Sequence, residues 1–234
     1  MKKLGAFLVG LGLVAGTVFA AATNTATSVN GVGFENFTMR GDQAALIRMD
    51  FKNLGRPDAL WTSTDILGTN YTHDIYLYYW DPVGQQWQSE TFLAILQAWD
   101  PGTTLFNRGQ SVFVQMAGDS TVTNHFTISG EIPGGNNNSS TSSVSIVGGL
   151  NAVGYSFPNS IALTNTSLSS LSGGDDLFLY YWVDGLGWQS VTYLNIAGIW
   201  DNDAFVLMPG QGYFLQKLSS GGTNWTEVKT YVWP

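Results

Sequence analysis

The sequence predicts an all-β protein made of two tandem homologous units, each a β-sandwich or small barrel, and three observations carry that prediction. First, the chain repeats itself. Asp74-Ile75-Tyr76-Leu77-Tyr78-Tyr79-Trp80 returns as Asp176-Leu177-Phe178-Leu179-Tyr180-Tyr181-Trp182, Trp87-Gln88-Ser89 as Trp188-Gln189-Ser190, and Trp99-Asp100 as Trp200-Asp201. Gly109-Gln110 likewise returns as Gly210-Gln211 before a Phe-containing strand. The offset is 102 residues in the first block and 101 in the later ones, so one residue is missing from the turn between them. A register held over four blocks marks two copies of a domain-sized unit. Second, the repeated blocks alternate with the period of two that a strand requires. Third, Gly-rich turns recur and no segment sustains a helical period.

The elements follow in order. Lys2 and Lys3 precede an apolar stretch from Leu4 to Phe19 and the small residues Ala20-Ala21-Ala22. That is the pattern of a signal peptide over residues 1–22, and the apolar run is short for a membrane span. An exported chain is expected: periplasmic, at the cell surface or extracellular. The first unit is placed at 28–132. In it Ile75, Leu77 and Tyr79 form an aliphatic strand face, and Tyr76, Tyr78 and Trp80 an aromatic one. Apolar character on both faces predicts a central strand. Asp81-Pro82-Val83-Gly84 supplies a turn, and Trp87-Gln88-Ser89 begins the return strand. Thr91 to Trp99 has some helical look, but its counterpart, Thr192 to Trp200, carries Gly198 and β-branched residues. One fold must satisfy both, so strand or irregular structure is expected there. Ser111 to Met116 forms a further strand, with Val112, Val114 and Met116 on one face, and Asn124 to Glu131 closes the unit.

Residues 133–143 contain no apolar side chain after Pro133 and read as a polar linker. The second unit, 144–234, repeats the first: a central strand from Leu177 to Trp182, a turn at Asp184-Gly185-Leu186-Gly187, a strand from Gly212 to Leu218, and a last strand from Asn224 to Trp233.

These landmarks resemble a domain found, often in tandem, in large bacterial secreted and cell-surface proteins. Its units open on N-x-V-G-x-x-x-P, continue with a Y-x-W hairpin and close on P-G-Q-G-[FY]-F. The second copy carries Asn151-Ala152-Val153-Gly154-Tyr155-Ser156-Phe157-Pro158, Tyr180-Tyr181-Trp182 and Pro209-Gly210-Gln211-Gly212-Tyr213-Phe214. The first copy departs from it: Met49-Asp50-Phe51 stands in the opening motif, and Arg108 and Ser111 replace the Pro and the second Gly. The resemblance implies a non-catalytic surface or secreted module and supplies no catalytic residues.

Composition narrows the function classes. Cysteine is absent, which removes disulfides, thiolate metal sites and thiol nucleophiles together. Without Lys2 and Lys3, seven basic residues face seventeen acidic ones. A surface of that sign repels phosphate backbones, so nucleic acid is not an expected partner. His73 and His125 are the only histidines, too few and too far apart in the chain for a catalytic zinc site. Asp74, Asp176, Asp100 and Asp201 could serve a small glycoside hydrolase or lyase. Their duplication argues for turn and strand-end roles instead, because an active site built once per chain breaks the symmetry of a repeat. The expectation is therefore that the chain is not an enzyme and needs no cofactor, with calcium as an alternative at Asp175, Asp176, Asp201 and Asp203.

The aromatics are the remaining candidates. Trp and Tyr rings suit the apolar faces of sugars, which nominates Tyr78, Trp80, Tyr180 and Trp182, and also the unduplicated Trp61, Trp225 and Trp233. Against this, Trp87, Trp99, Trp188 and Trp200 recur at fixed positions as packing residues do. Two readings follow: a structural, assembly or adhesion protein that forms homo-oligomers or meets other surface proteins, or a module that binds polysaccharide.

Overall fold

The computed structural model describes residues 31–231 except 42, 57–59, 135–139 and 184. The expected signal peptide, Trp233 and the middle of the expected linker lie outside the described residues. The first unit runs β1 (Val32–Arg40), β2 (Ala44–Arg48), α1 (Ser63–Leu67), β3 (Ile75–Asp81), β4 (Gln86–Leu93), β5 (Ala98–Asp100), β6 (Ser111–Met116) and β7 (Thr123–Glu131). The second runs β8 (Thr141–Ile146), β9 (Gly149–Val153), β10 (Ile161–Ala162), β11 (Leu177–Val183), β12 (Gly187–Leu194), β13 (Ile199–Trp200), β14 (Val206–Leu207), β15 (Tyr213–Lys217) and β16 (Thr223–Val228). The second unit thus begins at Thr141, inside what the composition marks as linker. Ser142 and Val144 point inward there, and alternation outweighs the Ser-rich composition.

Each unit has two layers. The first and last strands form an antiparallel ribbon, β1 with β7 and β8 with β16, over a five-stranded sheet. The sheet orders are β2-β6-β3-β4-β5 and β9-β15-β11-β12-β13. The expected central strands are central: β3 and β11 each lie third of five. Among the described residues neither sheet closes into a barrel, and the architecture is sandwich-like.

The alternation decides which face goes inside. Ile75, Leu77, Val112, Val114 and Met116 turn to the ribbon and meet Met39, Phe126 and Ile128 in one core. Leu177, Leu179 and Leu215 meet Val144, Ile146 and Trp225 in the other. Each such side chain, fully buried, contributes about 1.5–3 kcal/mol. The aromatic faces of β3 and β11 are left outside their own cores.

The segment from Thr91 to Trp99 is strand, turn and strand, as its counterpart requires. The helix lies elsewhere. At α1 Thr62 is the N-cap: its hydroxyl accepts from the Asp65 amide at 3.3 Å, and the Asp65 carboxylate accepts from the Thr62 amide at 2.9 Å. This capping box offsets a helix otherwise too short to nucleate itself. No helix among the described residues is long and apolar enough to cross a membrane.

The two units meet along an approximate two-fold axis. In the first unit Arg48, Gly109 and Gln110 hold the places of Gly154, Gly210 and Gln211 in the second. The Arg48 amide donates to the Gly210 carbonyl at 3.2 Å, and the Gly154 amide donates to the Gly109 carbonyl at 2.8 Å. Ile47 bridges to Gln211, and Gln110 bridges to Val153. Contacts exchanged in this way are those of an isologous dimer, here closed within one chain. Close approach needs small residues. A Cβ on Gly154 would come within 2.6 Å of Arg48 Cβ, and one on Gly212 within 2.6 Å of Ser111 Oγ.

The first unit buries an ion pair at this junction. Arg48 and Asp50 are both fully enclosed and pair at 3.1 Å. The Arg48 guanidinium also donates to the carbonyls of Tyr155 and Phe157 across the junction. Ser156 and Gly154 stand at the corresponding places of the second unit.

Candidate functional site

The aromatic faces left outside the cores come together at the junction. Trp80 and Trp182 are next to last in their central strands, and each meets its hairpin partner edge-on: Trp80 with Trp87 at 5.3 Å and Trp182 with Trp188 at 5.4 Å. Strand pairing sets both contacts, since Trp80 lies opposite Trp87 and Trp182 opposite Trp188. Phe113 and Phe214 fill the middle. Phe214 takes Trp80, Trp87 and Trp188 edge-on at 6.1, 5.4 and 5.5 Å. Phe113 meets Trp182 edge-on at 5.8 Å and stacks on Trp188 at 6.3 Å. Beyond these six rings, Tyr76 stacks on Tyr78 and Phe178 on Tyr180, each pair at 6.4 Å.

Of the six, Phe214 is 4% exposed, whereas Trp87 and Trp188 are 46% and 43% exposed. They overlook a groove of about 290 Å³ lined by Trp80, Trp87, Leu150, Tyr180, Trp188, Phe214 and Gln216. That volume is at the small end of the roughly 300–1,000 Å³ typical of ligand clefts. Its polar groups are few: the Tyr180 hydroxyl donates to Gln216 Oε1 at 2.8 Å. The Trp80 indole N–H donates to the Leu150 carbonyl at 2.8 Å and so is fixed across the junction.

Two larger cavities flank the cluster and are related by the same axis. One, of about 620 Å³, lies between β8 and β9 of the second unit and Trp80, Arg108 and Gln110 of the first. Its counterpart, of about 440 Å³, lies between β1 and β2 and Trp182, Pro209 and Gln211.

The sequence candidates divide accordingly. Tyr78, Trp80, Tyr180 and Trp182 lie on the half-buried aromatic faces, and Trp80 and Tyr180 line the groove. Trp61 and Trp225 are a correction: they are 1% and 2% exposed. Trp61 donates its indole N–H to the Phe51 carbonyl at 3.2 Å, and Trp225 donates to the Glu227 carboxylate at 2.6 Å. Neither presents a face to solvent, so absence from the repeat marks a local core substitution and not a site. Trp233 lies outside the described residues. Trp99 and Trp200 are core residues, as their recurrence suggests. Trp87 and Trp188 recur equally and are exposed, and sequence reasoning missed them. Their signal was position: each lies one turn from a Gly-rich hairpin tip, directly opposite another Trp.

The carboxylates have structural partners. Asp74 Oδ1 accepts from the Ala94 amide, and Asp176 Oδ1 from the Asn195 amide, both at 2.8 Å, so each anchors the turn after the return strand. Asp201 Oδ1 accepts from the Thr192 amide at 2.9 Å. The calcium alternative at Asp175, Asp176, Asp201 and Asp203 gains no convergent site: among the described residues no three acidic or His side chains gather as a metal group. One carboxyl is strongly perturbed. Burial first, and then the charge of Asp50, push Glu35 up to about 8, with Arg48 acting in the opposite sense. Glu35 lines the smaller flanking cavity beside Gly210.

Comparison with protein-family models, with curated proteins and with solved structures finds no match to this chain.

Proposed function

We propose that the chain is a non-catalytic, exported carbohydrate-binding protein that takes its ligand on the aromatic cluster between the two units. One observation carries this reading: two indoles, Trp87 and Trp188, are nearly half exposed over a groove whose lining is mostly aromatic. Large apolar rings held rigidly at a surface are costly unless something covers them, and a sugar ring offers an apolar face of matching shape. The exported location rests on the basic and apolar start of the sequence.

The test is a titration of intrinsic tryptophan fluorescence with a panel of soluble polysaccharides, with and without calcium. A saturable shift with one glycan class is expected, lost in Trp87→Ala and in Trp188→Ala. A flat response across the panel would sink the reading.

A second reading, assembly, has its own observation. Ile95 and Leu96 in the turn after β4, and Ile196 in the equivalent turn after β12, are exposed next to the edge strands β5 and β13. Edges with apolar tips are association sites. Sedimentation velocity tests it: concentration-dependent oligomers that Ile95→Asp and Ile196→Asp disperse would favour assembly, and a monomer at all concentrations would end it.

A further inference from the structure

We propose that the glycan bound by the aromatic cluster is acidic, and that Arg108 and Lys52 hold its anionic group, a uronate carboxylate or a sulfate ester, in the larger flanking cavity. This inference rests on the carbohydrate-binding reading and specifies the ligand of that same site.

Trp80 connects the two parts. It lines both the aromatic groove and the cavity of about 620 Å³, so a chain stacked on the cluster has a direct continuation. The cavity inverts the chemistry of the rest of the molecule. Acidic residues outnumber basic ones by seventeen to nine in the chain, yet two cations and no carboxylate line this wall. The remaining polar lining is uncharged: asparagines including Asn107 and Asn151, and the hydroxyls of β8.

One of the two cations is under-used by the protein. Arg108 Nη1 is buried and has no hydrogen-bond partner among the described residues. Its guanidinium lies over the Phe157 ring at 5.5 Å and has no carboxylate within ion-pair distance among the described residues. Burial lowers its pKa, the direction expected of a charge whose desolvation is not fully offset. Lys52 reaches Glu131 only at 3.5 Å. A guanidinium whose donors the protein does not fully satisfy favours an anion against the part of it that lines the cavity.

The approximate two-fold axis provides the control. In the related cavity Pro209 stands where Arg108 does, and no cation lines it; Pro158, the sequence counterpart of Lys52, is not part of its lining. Glu35 lines its wall where Ser142 lines the first. Packing needs that act on both units alike cannot account for a cationic wall in one of them. The overall acidity of the chain disfavours a dense polyanion, so the expected ligand carries acidic groups sparsely on a neutral backbone.

The experiment compares three matched hexasaccharides by calorimetry: a neutral backbone, the same backbone with one glucuronate, and the same backbone with one sulfate. Cello-, xylo- and galacto-backbones are used in parallel. An acidic member is expected to bind about tenfold more tightly than its neutral parent. The uronate and sulfate arms identify which anion is held. Arg108→Ala and Lys52→Ala should remove that difference and leave neutral binding intact. On the wild-type chain, raising NaCl from about 50 to about 500 mM should weaken acidic binding alone, and this arm decides if the Arg108 variant does not fold. Equal, salt-independent affinity for neutral and acidic members would overturn the inference while leaving the aromatic platform standing. Absence of binding by all members would overturn both.

Discussion

Trp87 and Trp188 hold equivalent places in the two units, and both rest edge-on against a single ring, that of Phe214, at 5.4 and 5.5 Å. The counterpart ring, Phe113, meets Trp87 only at 6.5 Å and is less enclosed. The symmetry of the junction is therefore broken in its packing: Phe214 is the keystone and Phe113 is not. Phe214→Ala should cost about 3–5 kcal/mol and red-shift the tryptophan emission, because it uncovers both indoles. Phe113→Ala should cost less. Urea denaturation followed by fluorescence gives both values, and equal losses would show that the two rings share the load.

The backbone contact at Gly154 leads to a second prediction. Arg48 and Gly154 are repeat counterparts that face each other across the axis, and a methyl at 154 would press on Arg48 Cβ and Cδ, both at 2.6 Å. Arg48 cannot withdraw, because its guanidinium is fixed by Asp50 and by the carbonyls of Tyr155 and Phe157. Gly154→Ala should destabilise the chain by about 1–3 kcal/mol through overpacking, measured by chemical denaturation. A neutral effect would mean that the junction is looser than its contacts imply. The same geometry explains why the opening motif of the first copy departs from that of the second. Two arginines facing across the axis would bury like charges together, and two glycines would leave Asp50 without its cation.

Much of the fold was legible because period-two alternation and the repeat register each constrain the backbone directly. Ile75 and Leu77 point inward because their neighbours cannot all do so, and Leu177 and Leu179 repeat the choice. The junction was not legible. Nothing in the order of residues says that the outer faces of β3 and β11 meet each other, so Trp87 and Trp188 looked like core while Trp61 and Trp225 looked free. Exposure of an aromatic is set by which unit covers it, and that information is tertiary.

The short helix was missed for another reason. Its signal is Thr62-Ser63-Thr64-Asp65, a capping box with Asp in place of the usual Glu or Gln, ahead of only two apolar residues. Because α1 has just five residues, its cap is a large share of its stability. Thr62→Ala should cost about 1 kcal/mol, with faster amide exchange confined to 63–67 in hydrogen-exchange measurements. Exchange that spreads into β3 and β4 would show that the helix supports the sheet.

Glu35 gives the fold a pH response. Glu35 is shifted from its ordinary value of 4.5 up to about 8 in the folded chain, because burial and Asp50 both disfavour its anion. Between those two values the unfolded chain has released this proton and the folded chain still holds it, so unfolding releases a proton. Stability from this group is thus complete below pH 4.5, declines as pH rises, and is lost once pH passes about 8. Melting temperature should fall across that window. Glu35→Gln keeps the shape and removes the titration, so its melting temperature should stay nearly flat there and exceed that of the wild type at pH 8. Ser142, at the two-fold-related place and without charge, supplies the reference: Ser142→Ala should leave the pH slope unchanged. A wild-type slope that persists in Glu35→Gln would assign the pH response to other groups.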